Sequence, residues 1–416
     1  MNVGIDVTGL FWIYKTGFEN LYYALFQELE KLDAQLDASL HFVLIDRATE
    51  TAHACPAQRR DIFEYRQGAP LAYVPTIHPA PTRSFATLPA RAWNRGVRSL
   101  RRGLSARTDR VAPLYRNLDV LHVWYSDIYR AQNVFHAITF PDLIPLLFPE
   151  WCDSALVRAA NAALEFARDE ANVTIAISEN TKNDLVNFGK VAPERITVIY
   201  PGVREIFQPL RERTGLAQML ARYNIPQKPY LLSTGYLNPH KNLRGHLRAF
   251  ELLAEQSAFY DVQMVFVGPQ GMHVNELLAD ISSSRVRARV HVAGYIPDAD
   301  LVSLMGGAEA YLHCSYYEGF GLTALEAMAC GVPVVTSNTS ALAEITAGAA
   351  LQVNPNDVNA IADAIARVLE DDALRQDLIA RGLTHAAKFT WRNWALGHVR
   401  VYTQLAHAGL SQETRD

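Results

Sequence analysis

Between Ser315 and Pro333 the chain sets two glutamates, Glu318 and Glu326, around a short loop, Gly319-Phe320-Gly321. The apolar run at 309–313 (EAYLH) reads as a buried strand feeding that loop, and 322–330 reads as a helix leaving it. Gly319 and Gly321 allow a sharp turn and a close backbone approach to a ligand. The free N–H groups of a helix start favour an anion, most naturally a phosphate. Two plainer readings stand beside this one. Thr323-x-x-Glu326 has the spacing of a capping box, which accounts for Glu326 without any ligand. Glu318 reads equally well as a solvated loop acid. Further on, Asp298-Ala-Asp300 has the form of a metal-binding DxD. It is read here as a helix start with Asp298 or Asp300 as the cap.

These residues need elements to hold them. In the first half, strand candidates fall at 2–7, 41–45, 119–123, 134–140, 172–177 and 195–199. Helices are expected at 17–32, with Leu21, Leu25 and Leu29 on one face, at 154–170 and at 179–188, where Ser178 makes a plausible start. The second half repeats the scheme. Strands are expected at 230–234, 262–267, 289–293, 309–313 and 332–336. Helices fit at 242–255, 273–283, 299–307, 322–330, 357–370 and 372–388. Strands alternating with helices imply parallel sheets covered on both faces, and two such series imply two doubly wound domains. Loop residues cluster at 201–228, which marks the break. Ligands in such sheets bind beyond the carboxyl ends of the strands. The loops to watch are therefore 8–17, 141–146, 234–242, 268–272, 294–298 and 315–322.

Composition narrows the classes. The 416 residues carry 39 Lys+Arg against 43 Asp+Glu, a formal net charge of −4, with 49% hydrophobic residues. That composition excludes a disordered chain and argues against a dedicated nucleic-acid binder, which needs a basic excess. No apolar run approaches the roughly 20 residues of a spanning helix, and the N-terminus MNVGIDVTGL does not read as a signal peptide. Cys55, Cys152, Cys314 and Cys330 form no CxxC pair, which fits reduced thiols in the cytoplasm. One segment is locally basic: 91–110 holds seven arginines and one aspartate. On a helix, Arg91, Arg95, Arg98 and Arg102 share one stripe, opposite Trp93, Val97, Leu100 and Leu104. Such a helix suits an anionic membrane surface. The alternative is a helix packed on the first domain with a solvated basic face, and Gly96 and Gly103 weaken the helix itself.

The segment EGFGLTALEAMACGVPVV resembles the E-x7-E signature of retaining glycosyltransferases of family 4 (GT4), which have the GT-B fold. The resemblance extends in order through 142–150 (DLIPLLFPE), 172–203, 230–243 (YLLSTGYLNPHKNL), 290–301, 337–344 and 389–394. It covers nearly the whole chain and is weakest at 47–118. The LNPHKN form is similar to the mannosyltransferase-like branch.

The resemblance implies roles residue by residue. Glu326 takes the place of the glutamate that binds the donor ribose, and Glu318 that of the one beside the transferred sugar. A carboxylate suits both, since it accepts two strong hydrogen bonds from neighbouring hydroxyls. The N–H groups of Phe320, Gly321 and Leu322 are expected at the sugar or diphosphate, with the Thr323 hydroxyl beside them. The loop from Gly235 through His240 and Lys241 supplies the phosphate clamp, Lys241 matching the family lysine that stabilises the departing diphosphate. The alternative for Lys241 is a surface lysine at a helix start, where the dipole disfavours it. Asp142 remains as the polar group of the DLIP loop. Tyr295, in Gly294-Tyr-Ile-Pro297, matches the loop that flanks the donor base and reads equally as a core tyrosine. Gly17, after Lys15-Thr16, faces the donor phosphate or the acceptor, or is a plain helix cap. Three positions depart from the family: His240 stands where Arg is frequent, Pro141 where His is frequent, and Glu19 where a second Gly is usual. His240 still donates hydrogen bonds, and a neutral ring at pH 7 is compatible with its ordinary range.

The expected fold is thus α/β of GT-B type, two Rossmann-like domains facing across a cleft. Residues 1–203 would bind the acceptor, 204–388 the nucleotide sugar, and 389–416 would form a helix returning to the first domain. The expected reaction is hexosyl transfer with retention, by front-face attack and without a protein nucleophile. GDP-mannose is the favoured donor, ahead of UDP-sugars and other GDP-sugars. The acceptor is a polysaccharide or a lipid-linked oligosaccharide. No metal or other cofactor is expected, and the site of action is the cytoplasm or the inner face of the cytoplasmic membrane. Two other classes stand beside this reading. A nicotinamide-dependent oxidoreductase lacks its GxGxxG in the first turn. A glycosyltransferase-like binding protein without turnover draws on Pro141, Glu19 and His240.

Overall fold

Each half of the chain builds a largely parallel sheet. The computed structural model describes residues 2–6, 17–32, 41–46, 51–55, 118–124, 128, 130–210 and 215–413. Lys15, Thr16 and the arginine-rich segment 91–110 lie outside the described residues. In chain order the first half gives β1 (Asn2–Asp6), α1 (Gly17–Leu32), β2 (His41–Asp46), β3 (Thr51–Cys55), β4 (Val120–Trp124) and β5 (Phe135–Phe140). It continues with α2 (Ile144–Leu147), α3 (Ser154–Asp169), β6 (Val173–Ala176), α4 (Glu179–Asn187) and β7 (Ile196–Val198). These strands form one seven-stranded sheet in the order β3-β2-β1-β4-β5-β6-β7.

The sequence pattern implies parallel strands throughout, and β3 departs from it by running antiparallel to β2. Only residues 47–50 separate the two, which is too short for a crossover, so a hairpin return is the only connection available. The α1 bounds match the predicted helix, and its stripe of Leu21, Leu25, Leu29 and Leu32 is buried. α4 starts where expected: the Ser178 side chain accepts from the Thr181 N–H.

The second half gives α5 (Leu216–Arg222), β8 (Tyr230–Thr234), α6 (Leu243–Leu253), β9 (Gln263–Val267), α7 (Val274–Ser283), β10 (Val290–Val292) and α8 (Asp298–Gly306). Then follow β11 (Ala310–His313), α9 (Leu322–Ala329), β12 (Val334–Ser337), α10 (Ser340–Ile345), β13 (Leu351–Val353), α11 (Val358–Glu370), α12 (Asp372–Ala386) and α13 (Trp391–Glu413). Their sheet runs β10-β9-β8-β11-β12-β13, with parallel pairing. β8 and β9 are buried at every residue, which is why they read as continuous apolar runs rather than alternating ones. The core of this sheet joins Leu231, Met264, Phe266 and Leu312 to Leu247 and Phe250 of α6 and to Ile361 and Ile365 of α11. Three short elements, α5, α10 and β13, were not expected. α5 forms within the loop-rich segment that marks the break.

Packing divides the chain into two compact units. One comprises Met1–Thr139, Glu165–Thr174 and His398–Asp416; the other comprises Phe140–Leu164 and Ile175–Gly397. Within the first unit the later part of α13 docks on β4. His122 Nδ1 lies 2.7 Å from the Tyr402 hydroxyl, and His122 Nε2 lies 2.8 Å from Thr139 Oγ1. Burial holds the His122 ring neutral, with a pKa well below the ordinary value, so it gives one hydrogen bond and takes the other. No described helix is long and apolar enough to cross a membrane.

Tyr402→Phe would leave His122 Nδ1 buried without its partner. The expected cost is about 1–3 kcal/mol of stability, read as a lower denaturant midpoint with an unchanged slope.

Candidate active site

The second sheet has its strand order reversed between β8 and β11. Loops leaving neighbouring strands there run in opposite directions and open a crevice at the carboxyl edge. The Gly235–Asn242 loop leaves β8 and the Ser315–Gly321 loop leaves β11, so the two predicted motifs meet at that point. Lys241 closes a 3₁₀ turn, Pro239–Lys241. Its ammonium lies 2.6 Å from Glu318 Oε1. His313 Nε2, at the end of β11, lies 2.9 Å from the same oxygen, and Ser315 Oγ donates to it at 2.8 Å. The Glu318 N–H donates to Ser340 Oγ at 3.0 Å.

Burial alone would push the Glu318 carboxyl up. The Lys241 ammonium and the His313 hydrogen bond outweigh it and hold the group well below the usual carboxylate range. Burial also keeps the His313 ring from protonating. The neutral ring then gives its Nε2–H to Glu318, and its Nδ1 faces the Thr323 hydroxyl at 3.3 Å. Glu318 is therefore no solvated loop acid, and Lys241 is no surface lysine: their side chains are 10% and 16% exposed.

The loop between Glu318 and α9 presses on the Asp142 segment. A Cβ on Gly319 would sit 2.1 Å from the Pro141 carbonyl oxygen and 2.6 Å from Asp142 Cβ, so only glycine fits. Gly321 lies in the left-handed region at φ +103° and caps α9 with no side-chain bond. Phe320 turns its ring inward against Tyr200 and Phe389. Among the described residues, the N–H groups of Phe320, Gly321 and Leu322 find no protein acceptor, which leaves an anion-ready helix start. Asp142 is pushed up to about 6 by burial, and it lies within electrostatic reach of both Glu318 and Lys241. His240 is pushed down to about 4 by burial, so its ring is neutral, and its Nδ1 is buried without a partner. Gly235, at the end of β8, lies against the Lys241 side chain, 3.5 Å from Cε to a Cβ built there.

Glu326 sits on α9, 2% exposed. It does not serve a capping box. Its Oε1 accepts from Arg204 Nε at 2.9 Å, and the same guanidinium donates to Asp298 Oδ2 at 2.7 Å. Burial outweighs the Arg204 charge and pushes the Glu326 carboxyl up to about 7; Asp298 adds to the rise. Asp298 and Asp300 do open α8, as expected, but neither caps it. Asp298 is taken by Arg204, and Asp300 by Arg222 and the Tyr223 hydroxyl. Tyr295 is 55% exposed, which overturns its reading as a core tyrosine. Gly17 is the first residue of α1, in the other unit.

Sequence reasoning missed Arg204, His313 and Ser340. His313 left a signal, an imidazole at the carboxyl end of a buried strand one loop before Glu318. Arg204 left none, since its partners lie far along the chain.

A parallel sheet with an ionised, lysine-paired carboxylate beside an open helix start at its switch point is built to hold an anionic, hydroxyl-bearing ligand. Residues 219–385 match the family described as Glycosyl transferases group 1, and residues 39–205 match Glycosyltransferase Family 4. The O-antigen chain mannosyltransferase B of Escherichia coli is 32% identical over 289 residues, 68% of this chain and 75% of that one. The serotype-specific mannosyltransferase WbdA of Escherichia coli is 31% identical over 279 residues, which are 66% of this chain and 34% of that longer protein. Among solved structures, sucrose-phosphate synthase from Thermosynechococcus elongatus shares the fold with a TM-score of 0.67 at 21% identity, covering 98% of this chain and 100% of that one. The chain belongs to glycosyltransferase family 4.

If Glu326 binds the donor as a carboxylate, affinity follows its ionisation. Its charged fraction grows as pH rises through about 7. Affinity for a nucleotide-diphosphate sugar, whose own phosphates do not titrate there, is expected to rise about tenfold from pH 6 to pH 8. Arg204→Ala removes the charge that opposes burial and moves that rise to higher pH. Calorimetric titration across pH checks both.

Proposed function

We propose that the chain is a retaining hexosyltransferase that takes mannose from GDP-mannose and adds it to a growing surface polysaccharide or a lipid-linked oligosaccharide. The observation that carries this reading is the convergence of Lys241, His313 and Ser315 on one oxygen of Glu318, beside the open N–H groups of Phe320, Gly321 and Leu322. In this reading the helix start and Lys241 take the diphosphate. An ammonium has three donors, so Lys241 can hold Glu318 and still reach phosphate as negative charge builds on the leaving group. Glu318 binds the hydroxyls of the transferred sugar through its remaining lone pairs, and Glu326 binds the ribose. Three hydrogen bonds, one of them from the Lys241 ammonium, make Glu318 a poor nucleophile, which supports front-face attack with the leaving phosphate taking the acceptor proton. No metal or other cofactor is given a step.

Mannose and a polysaccharide acceptor draw support from the mannosyltransferase relatives, among them one named for the O-antigen chain. Acceptor binding is assigned to residues 1–203, donor binding to 204–388, with 389–416 returning to the first domain. Tyr295 and Gly17 are kept as candidates for the base and for the phosphate or acceptor. The arginines of 91–110 are proposed to meet anionic lipid on the inner face of the cytoplasmic membrane.

A thermal-shift panel of GDP, UDP, TDP and ADP tests the donor. GDP at 100 times its Kd is expected to stabilise by about 2.7 kcal/mol, and Lys241→Ala, measured from its own baseline, is expected to lose that shift. Stabilisation by UDP alone would reassign the base, and no shift with any of the four would return the chain to a binding protein without turnover. Flotation with anionic liposomes tests the membrane assignment: protein left at the bottom of the gradient would remove it.

A further inference from the structure

A row of aromatic rings flanks the carboxylate cluster, and none of Phe148, Trp151 and Tyr316 is among the residues assigned to the donor. Phe148 and Trp151 follow the Asp142 loop, and their rings stack 4.4 Å apart at 14°. Trp151 lies at 28° to Tyr316, 6.4 Å between centroids, and 6.3 Å from the His240 ring. Tyr316 stands two residues before Glu318, and its N–H donates to the His240 carbonyl at 2.8 Å. The row thus joins the Lys241 turn, the Glu318 loop and the Asp142 segment within one compact unit.

Large rings are normally driven into a core by the area they remove from water. Here neither Phe148 nor Trp151 is buried, and Tyr316 keeps 38% of its surface exposed. The neighbourhood is also polar. The Asp142 carboxyl acts on Cys152, the residue after Trp151, and stands in the field of Glu318 and Lys241. Flat apolar surface beside a few fixed polar groups is the make-up of a small-molecule subsite. A pyranose matches it, because one ring face presents C–H groups while the rim presents hydroxyls. A nucleobase would also stack, but the donor's ribose is assigned to Glu326 on α9, whereas the aromatic row borders Glu318, where the sugar is transferred.

We propose that Trp151 and Tyr316 form the platform on which a sugar ring of the acceptor lies, with Asp142 receiving its hydroxyls. The proposal rests on the reading of the chain as a hexosyltransferase and adds to it an acceptor subsite that Trp151 shares with Tyr316, a residue of the part assigned to the donor. A platform of this kind takes a saccharide ring of the acceptor rather than a bare lipid or phosphate headgroup.

Calorimetric titration of the whole protein, saturated with GDP, against mannotriose, maltotriose and chitotriose tests this. Wild type is expected to bind at least one of the three. Trp151→Ala and Tyr316→Ala are each expected to weaken that binding about tenfold or more, and Trp151→Phe to retain most of it, while GDP affinity stays unchanged in all three variants. If Trp151→Ala does not fold, Tyr316→Ala, at the exposed end of the row, decides. An unchanged saccharide affinity in the alanine variants overturns the proposal, as does a parallel fall in GDP affinity, or a wild type that binds GDP and none of the saccharides. A wild type that binds no nucleotide sinks the donor reading instead, so the two failures are told apart.

Discussion

A carboxylate that is buried and still charged is the constraint on which the rest of this site depends. Left alone in a low-dielectric pocket, Glu318 would take up a proton. It keeps its charge because three donors from separate chain positions reach one oxygen, and each donor fixes an element. Lys241 needs the tight turn after β8, and His313 needs the last position of β11. Asn242 locks the two together: its backbone takes the left-handed conformation at φ +54°, and its amide donates to the Cys314 and Pro355 carbonyls at 3.0 and 2.7 Å. The loop after Glu318 must then pass so close to Pro141 and Asp142 that a side chain at position 319 is excluded.

The two glutamates of the motif are held in different electrostatic states. Glu318 is paired with an ammonium and two further donors and lies far below its ordinary range. Glu326, at 2% exposure, has one guanidinium that it shares with Asp298, and burial wins. The seven intervening residues produce this difference geometrically. They carry the chain out of the loop and onto α9, so the first carboxylate stays at the strand edge while the second is carried onto a helix buried on most of its face. A charge held constant suits the sugar-binding role proposed for Glu318. A carboxyl near its titration point leaves the charge of Glu326 sensitive to what replaces Arg204.

The fold was legible wherever burial wrote itself into the sequence. β8 and β9 are buried at every position and mostly apolar because both faces are covered, and α1 and α11 carry their buried residues at helical spacing. What was missed is short or held by tertiary contacts. β13 has three residues of intermediate burial and no pattern of its own, and β3 is set antiparallel by the brevity of the turn before it. The site divides the same way. Glu318, Glu326 and Lys241 could be found because the motifs that carry the family resemblance are local stretches of sequence. Arg204 could not, because its ion pairs cross the chain to Asp298 and Glu326. The capping readings of Thr323, Asp298 and Asp300 failed because local spacing cannot see a cation arriving from another segment.

The departures at positions 240 and 141 fit the same electrostatics. The cluster holds one firmly ionised carboxylate and one ammonium, with Asp142 poised near 6. A permanent guanidinium at position 240 would add a second buried cation whose only anion in the cluster besides Glu318 is Asp142, a group that titrates near 6, and an incompletely matched buried charge is costly. A histidine pushed down to about 4 stays neutral and avoids that cost. Pro141 contributes its carbonyl rather than a side chain. That oxygen lies in the closest approach to Gly319 and within 3.5 Å of the Thr181 hydroxyl, while Ser178 and Thr181 both donate to the Gly319 carbonyl, at 2.8 and 3.3 Å. A residue with fixed φ and no N–H to satisfy suits a backbone pinned this closely. Both departures are thus compatible with keeping Glu318 the one constant charge beside Lys241.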